Sequence, residues 1–272
     1  MNAICEICPH HCQLKVGQVG FCHARQNIDG VIKSISYGKV TSIALDPIEK
    51  KPLKHFFPGS YILSVGSFGC NLRCPFCQNY EISMADEQSS SISFYSPETL
   101  VELALRYREL GNIGIAFTYN EPLIGYEYVA ETSVLARHNG LETVLVTNGY
   151  INEDPLLELL PNISALNIDL KSFSPEFYSR IKGDLDTVKR SIEIASRLAN
   201  VEVTTLIVPG ENDTDEEMRN LAKWLASVDS EIPYHITAFY PRYKMTDRGR
   251  TREETIRRLA NIASQYLRYV YA

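Results

Sequence analysis

Six short apolar runs, rich in β-branched residues and separated by helical stretches, constrain the fold of this 272-residue chain more than any other feature. The runs are YILSVGSF (61–68), GIAFTYN (114–120), TVLVTNG (143–149), ALNIDLK (165–171), VEVTTLIV (201–208) and YHITAFY (234–240). Their apolar character is continuous rather than alternating, which suits strands covered on both faces in a parallel sheet. Between them the helix starts are legible. Ser96-Pro97-Glu98 and Ser174-Pro175-Glu176 each offer an N-cap, a proline at the first helical position and an acid in the first turn. Thr214 with Glu217, and Thr251 with Glu254, have the spacing of a capping box. The first helix is expected to bury Leu100, Leu103, Ala104, Tyr107 and Leu110 along one face. Six βα units predict an α/β fold, as an open doubly wound sheet or a partial barrel, with ligands at the carboxyl ends of the strands.

Residues 1–60 read differently and form a first unit, with residues 61–272 as the second. Within the first unit, the segment from Gly30 to Asp46 alternates and predicts a short hairpin. The following segment ends in a loop at Pro58-Gly59, and residues 86–96 form a polar loop. Hydrophobic residues make up 44% of the chain, ample for one large domain with an appendage. The net charge of −6 gives no reason to expect nucleic acid, which demands basic surface. A local exception spans 242–258, where seven cations face three acids; it reads as a solvated helix face or an anion-binding rim. No run approaches the ~20 apolar residues that span a membrane. Cys5 to His11 interrupts any secretory h-region, so the sequence predicts a cytoplasmic protein without a membrane segment.

The seven cysteines are divided four and three. Cys70, Cys74 and Cys77 stand at C-x3-C-x2-C spacing directly after the first apolar run, and Cys5, Cys8, Cys12 and Cys22 lie within the first 22 residues. An odd count argues against a disulfide framework and for metal. A cubane [4Fe–4S] cluster normally takes four thiolates, so three leave one iron open to a small molecule. From spacing alone, three cysteines also suit zinc completed by a distant histidine, or a ferredoxin-like cluster completed from the N-terminal group. The N-terminal four are a complete thiolate set in a segment too short for a core of its own, which suits zinc or an auxiliary [4Fe–4S] cluster. His10, His11 and His23 are candidate replacements for one thiolate.

The loop Cys70-x3-Cys74-x-Phe76-Cys77 after a barrel strand resembles the radical S-adenosylmethionine (SAM) superfamily. The resemblance implies a partial (β/α)6 TIM-like barrel and a three-cysteine [4Fe–4S] cluster whose open iron binds SAM. It also implies reductive cleavage of SAM to a 5′-deoxyadenosyl radical, with an electron donor such as flavodoxin or ferredoxin. Thr118-Tyr119-Asn120-Glu121-Pro122 stands where that family has its GGEP-type segment; Glu-Pro is retained and the glycines are replaced. Asn120 and Glu121 are thereby implied in SAM binding, with Phe76 in the aromatic position. Thr147-Asn148-Gly149, Asp169-Leu170-Lys171, Val208-Pro209-Gly210 and Pro233-Tyr234-His235 resemble segments of the pyruvate formate-lyase activating enzymes. By that resemblance Asn148, Asp169, Lys171 and His235 line the SAM ribose, carboxylate and sulfonium region. Taken alone, Asn-Gly reads as a turn, Asp169 with Lys171 as an ion pair, Glu-Pro as a capping turn, and a single histidine as core.

The N-terminal pattern, with Tyr37-Gly38-Lys39-Val40 and Asp46-Pro47-Ile48-Glu49-Lys50-Lys51-Pro52-Leu53, resembles the radical SAM member of the AmmeMemoRadiSam system. That resemblance implies Memo-type and AMMECR-type partner proteins. Related members often continue into a C-terminal extension, whereas the run Tyr269-Val270-Tyr271 here resembles another strand. Activation of a glycyl radical enzyme is one function within this reading. An iron–sulfur redox or sensor protein without SAM chemistry, or a zinc-headed scaffold, are readings of a different class.

Overall fold

The computed structural model describes residues 2–88 and 91–272. In chain order the elements are β1 (Asn2–Ile4), β2 (Gln13–Lys15), β3 (Arg25–Ile28), β4 (Val31–Ser34), β5 (Lys39–Val40) and β6 (Ser42–Pro47). There follow β7 (Tyr61–Gly66), α1 (Tyr80–Ser83), β8 (Ser93–Phe94), α2 (Pro97–Arg106), β9 (Asn112–Phe117), α3 (Tyr126–His138), β10 (Glu142–Thr147) and α4 (Glu153–Leu159). The remainder is β11 (Ala165–Asp169), α5 (Pro175–Arg180), α6 (Leu185–Ala195), β12 (Asn200–Ile207), α7 (Asp215–Asp229), β13 (Tyr234–Ala238), α8 (Glu253–Ala263) and β14 (Val270–Tyr271).

One eight-stranded sheet runs β14-β13-β12-β11-β10-β9-β7-β6. All its pairings are parallel except β6 with β7. All six expected strands are present in sequence order, and β14 and β6 flank them without pairing to each other among the described residues. This is a partial barrel of the TIM type. Outward side chains such as Leu63, Ile115, Leu145 and Leu166 pack under the helices. Inward ones, Ile62, Ala116, Val144 and Ala165, meet Ile48, Leu53 and Phe56 from the segment between β6 and β7. That segment plugs the amino-terminal end of the barrel. Strands covered on both faces read as continuous apolar runs for this reason.

The plug is fixed by one carboxylate. Glu202 on β12 accepts from the backbone N–H groups of Lys54 (2.9 Å) and His55 (2.8 Å), and lies 2.6 Å from His235 Nε2. Above it, the buried Lys51 ammonium donates to Asp46 (3.0 Å), which also accepts from the Tyr119 hydroxyl (2.7 Å). The small inward side chains Ser64 and Ala116 leave the room these long residues need.

Several local expectations are corrected. The hairpin expected over 30–46 does not form as one unit. β4 pairs back onto β3 across Asp29-Gly30, whose positive φ angles of 53° and 93° suit a tight hairpin turn, and β6 joins the main sheet. Ser93 and Phe94 of the expected polar loop pair with β5, while Ser89 and Ser90 lie outside the described residues. Ser96, Ser174 and Thr214 do cap their helices. Glu217, however, accepts from Phe173 N–H (2.7 Å) instead of closing a box. Thr251 is buried and bonds Ile207 O and Phe239 N–H, tying the ends of β12 and β13, so it caps nothing. The α2 face buries Leu100, Val101 and Ala104, but the helix ends at Arg106 and leaves Leu110 exposed.

Candidate active site

At the carboxyl ends of the strands the inward positions turn polar. A cavity of about 260 Å³ opens there, lined by Cys70, Cys74 and Cys77 together with Thr118–Glu121, Val146–Asn148, Asp169, Lys171, Thr204, Leu206 and Thr237. Three consecutive β-loop junctions and the cysteine loop therefore converge on one space, as expected for ligands on parallel strands.

The cysteine loop is braced by side chains rather than by secondary structure. Asn120 Nδ2 donates to the carbonyls of Phe68 (3.1 Å) and Gly69 (3.2 Å), and its Oδ1 accepts from Ser67 N–H (2.9 Å). Asn120 thus fixes the backbone that leads into Cys70. Arg73 donates to the carbonyls of Cys70 (2.6 Å) and Leu72 (2.9 Å). Asn71 donates to Tyr150 O (2.7 Å) and accepts from Asn148 Nδ2 (2.9 Å), and that same amide stands 3.7 Å from Cys70 Sγ. The Leu72 N–H lies 3.4 Å from that sulfur. Phe76 lines the cavity from a buried position beside Phe177.

Glu121 is buried and accepts from Leu123 N–H (3.0 Å), Thr147 Oγ1 (2.6 Å) and Asn148 N–H (2.8 Å). It therefore caps the turn after Pro122 and also faces the cavity. A carboxylate has about four lone-pair sites, so one acceptor site remains for a cation. Burial raises its pKa to about 7 against the pull of those three bonds. Lys171 donates to Asp169 (2.7 Å); burial works against its charge, but Asp169 and the Cys74 sulfur hold its pKa above the ordinary lysine value. Burial also pushes Cys74 up to about 12 and Cys70 well above an ordinary thiol. Such thiols ionise when a cation sits on them.

His235 is the one predicted site residue the fold puts elsewhere. It lies at the start of β13, at the plugged end of the barrel, bonded to Glu202 and stacked on Tyr271 at 5.2 Å. The inward residue of β13 that reaches the cavity is Thr237, two positions further on. A period-of-two count toward the strand's carboxyl end identifies it, and Thr204 on β12 by the same step. Asn71 and Arg73 carry no such periodic signal, because their roles depend on loop conformation.

The sequence model of the radical SAM superfamily matches residues 64–225, which includes the cysteine loop and most of the cavity. This chain belongs to the radical SAM superfamily. It is 43% identical over 271 residues to the uncharacterised protein MJ0808 of Methanocaldococcus jannaschii, across 98% of this chain and 80% of that one. It is 26% identical over 218 residues to pyruvate formate-lyase 1-activating enzyme of Escherichia coli, across 73% of this chain and 86% of that one. Among solved structures, QueE from Escherichia coli shares the fold with a TM-score of 0.55 at 14% identity, over 85% of this chain and 92% of that one.

The residues present fit the cofactors of a radical SAM enzyme. Three thiols on one loop share one cavity of about 260 Å³, with amide donors beside a sulfur. Cys70, Cys74 and Cys77 would hold the [4Fe–4S] cluster, and Glu121, Asn148, Asp169 and Lys171 would surround SAM. When bound, that pair supplies one-electron cleavage of the sulfonium and a 5′-deoxyadenosyl radical. The chain supplies orientation: Glu121 offers an acceptor for an ammonium, and Lys171 a donor for a carboxylate or hydroxyl. Among the described residues, no helix is long and apolar enough to cross a membrane.

Proposed function

We propose that this radical SAM enzyme acts as an oxidoreductase that takes hydrogen from a protein or small-molecule substrate. The observation that carries the reading is the convergence of an unfinished three-thiol set and Glu121 on one open cavity. The AmmeMemoRadiSam-like N-terminal pattern supports Memo-type and AMMECR-type proteins as partners. Seven free thiols suit work in the reducing cytoplasm. The four N-terminal thiols form a second metal site, zinc or an auxiliary cluster.

An acidic electron carrier of the flavodoxin or ferredoxin kind is the proposed reductant. Arg242, Lys244 and Arg250 stand over the rings of Tyr80, Tyr243 and Tyr240. Among the described residues no carboxylate pairs with these three cations. Lys244 N–H also donates to Pro75 O (3.0 Å), so the patch abuts the cluster loop. A second reading, activation of a glycyl radical enzyme, is favoured by the likeness to the pyruvate formate-lyase 1-activating enzyme.

The test is anaerobic, reconstituted protein with dithionite and SAM. It should release 5′-deoxyadenosine, and a Cys74→Ala variant should not. Product no greater than in enzyme-free controls would overturn the reading and leave a redox or sensor role. Activity that survives Cys74→Ala would overturn the cluster assignment.

A further inference from the structure

Residues 1–63 lie outside the superfamily match, and they hold a second convergence of thiols. Two tight turns build it. Cys5 N–H donates to Cys12 O (3.1 Å) and His11 N–H to Cys8 O (3.1 Å), with His11 at a φ of 40°. Gly20 N–H donates to Arg25 O (2.8 Å) and His23 N–H to Gly20 O (3.0 Å), with His23 at a φ of 66°. The turns bring Cys5, Cys8, Cys12 and Cys22 onto one enclosed cavity. The thiols are free, and no three His, Cys, Asp or Glu side chains among the described residues stand together as a metal-ion site.

Two further observations point to what they would close upon. The first is room. The cavity measures about 10 Å³ against about 260 Å³ beside the other three cysteines. Ten cubic ångströms is space for about one water-sized particle, which suits a single ion better than an eight-atom cubane. The second is Arg25, only 4% exposed, which lines this cavity. Its two terminal nitrogens are taken by Glu127 (2.8 and 2.6 Å) and Ile124 O (3.1 Å). Its Nε is buried without a hydrogen-bond partner, and Cys5 lines the same cavity. An unpaired buried N–H beside four thiols is a donor available to a metal-bound sulfur.

We infer that the four N-terminal cysteines hold one tetrahedral zinc ion, with Arg25 Nε donating to the Cys5 thiolate, and that this ion holds the cluster loop in place. Zinc is the ion that four thiolates in a closed site suit best. The head grips the loop at three points. His10 Nε2 lies 2.8 Å from Asn71 O, Arg73 bonds Phe21 O with its guanidinium 3.9 Å over the Phe21 ring, and the Cys22 carbonyl packs on Gly69. A Cβ at Gly69 would meet that carbonyl oxygen at 2.3 Å. Only the loop-holding half of the inference rests on the cluster reading above.

Metal analysis of the full chain carrying Cys70→Ala, Cys74→Ala and Cys77→Ala tests the site independently of SAM chemistry. About one zinc per chain without sulfide is expected. About four irons and four sulfides, one iron with a tetrathiolate absorbance, or no metal would each overturn the zinc assignment. In the otherwise native chain, Arg25→Gln should release zinc to a chelator at least about tenfold faster. An unchanged rate would remove Arg25 from the site. Stripping the zinc from native protein should speed amide exchange across residues 69–79, and unchanged exchange there would sever the head from the loop.

Discussion

Glu121 concentrates two roles that a short motif cannot separate. It caps the turn after Pro122 and it presents a carboxylate to the cavity, so a folding effect and a ligand effect overlap at one residue. Charge distinguishes them. Removing it by Glu121→Gln should weaken SAM binding roughly 10- to 100-fold, the value of a charge-assisted hydrogen bond, as measured by equilibrium binding to the reconstituted protein. The pH dependence of stability has a definite sign. Because the folded-state pKa is raised from 4.5 to about 7, this group's contribution is fully present below 4.5 and is lost as pH rises through 7. Free of both cluster and SAM, the unsubstituted protein should therefore lose more melting temperature between pH 5 and pH 8 than Glu121→Gln does. Equal slopes would show that Glu121 does not titrate there. Much at this scale is legible in the chain. Cysteine spacing needs no fold, whereas the service of Asn120 and Asn71 to the loop backbone depends on carbonyls that only the folded loop presents.

Among the elements, the loop from Ser67 to Asn79 decides the site while having little structure of its own before α1. Its entry depends on Gly69, with a φ of 85° and the Cys22 carbonyl against it. Gly69→Ala adds left-handed strain and a clash, together about 2 kcal/mol or more. The urea midpoint should fall accordingly, and the head thiols should become reactive to a thiol reagent at rates near those of the unfolded chain. Ser96→Ala is the contrasting case. It removes only the cap of α2, whose side chain accepts from Thr99 N–H, and should cost about 1 kcal/mol with unchanged SAM affinity. The segment after β13 carries a further prediction. Replacing Arg242, Lys244 and Arg250 by glutamine should raise the KM for an acidic flavodoxin-type donor and flatten its salt dependence. The dithionite-driven rate should stay the same, and an equal loss with both reductants would rule out a docking role. Helix starts were readable here because caps are local. Thr251 departs from its capping-box spacing because burial between two strand ends makes it a tie.

Across the whole molecule the barrel has two ends with different tasks. The carboxyl end is open and polar; the amino end is closed by the segment from Ile48 to Ser60 and pinned through Glu202. Glu202→Ala strands two backbone N–H groups and the His235 ring, at a cost of about 3 kcal/mol or more by unfolding in denaturant. SAM affinity should change less than about threefold, because the carboxylate lies at the opposite end from the cavity; a proportionate loss of binding would show that plug and site are coupled. The Lys51–Asp46–Tyr119 cluster stands between the two ends, with Tyr119 also lining the cavity floor. His235 lies at the plugged end and not in the SAM region that the resemblance implies, for a simple reason. A strand places residues two apart on one face but about 7 Å apart in depth, and a linear motif carries no depth.

By itself the sequence determined the parallel α/β architecture and the three-cysteine loop after the first barrel strand, which follow from burial pattern and spacing, properties of local stretches. Glu121, Asn148, Asp169 and Lys171 enter as neighbours of that loop through family resemblance. Only the tertiary structure decided that β6 belongs to the main sheet, that a loop plugs the barrel, that His235 serves that plug, and that Arg25 faces four thiols. Each of those depends on contacts between distant parts of the chain, where burial and unpaired polar groups settle which residues meet.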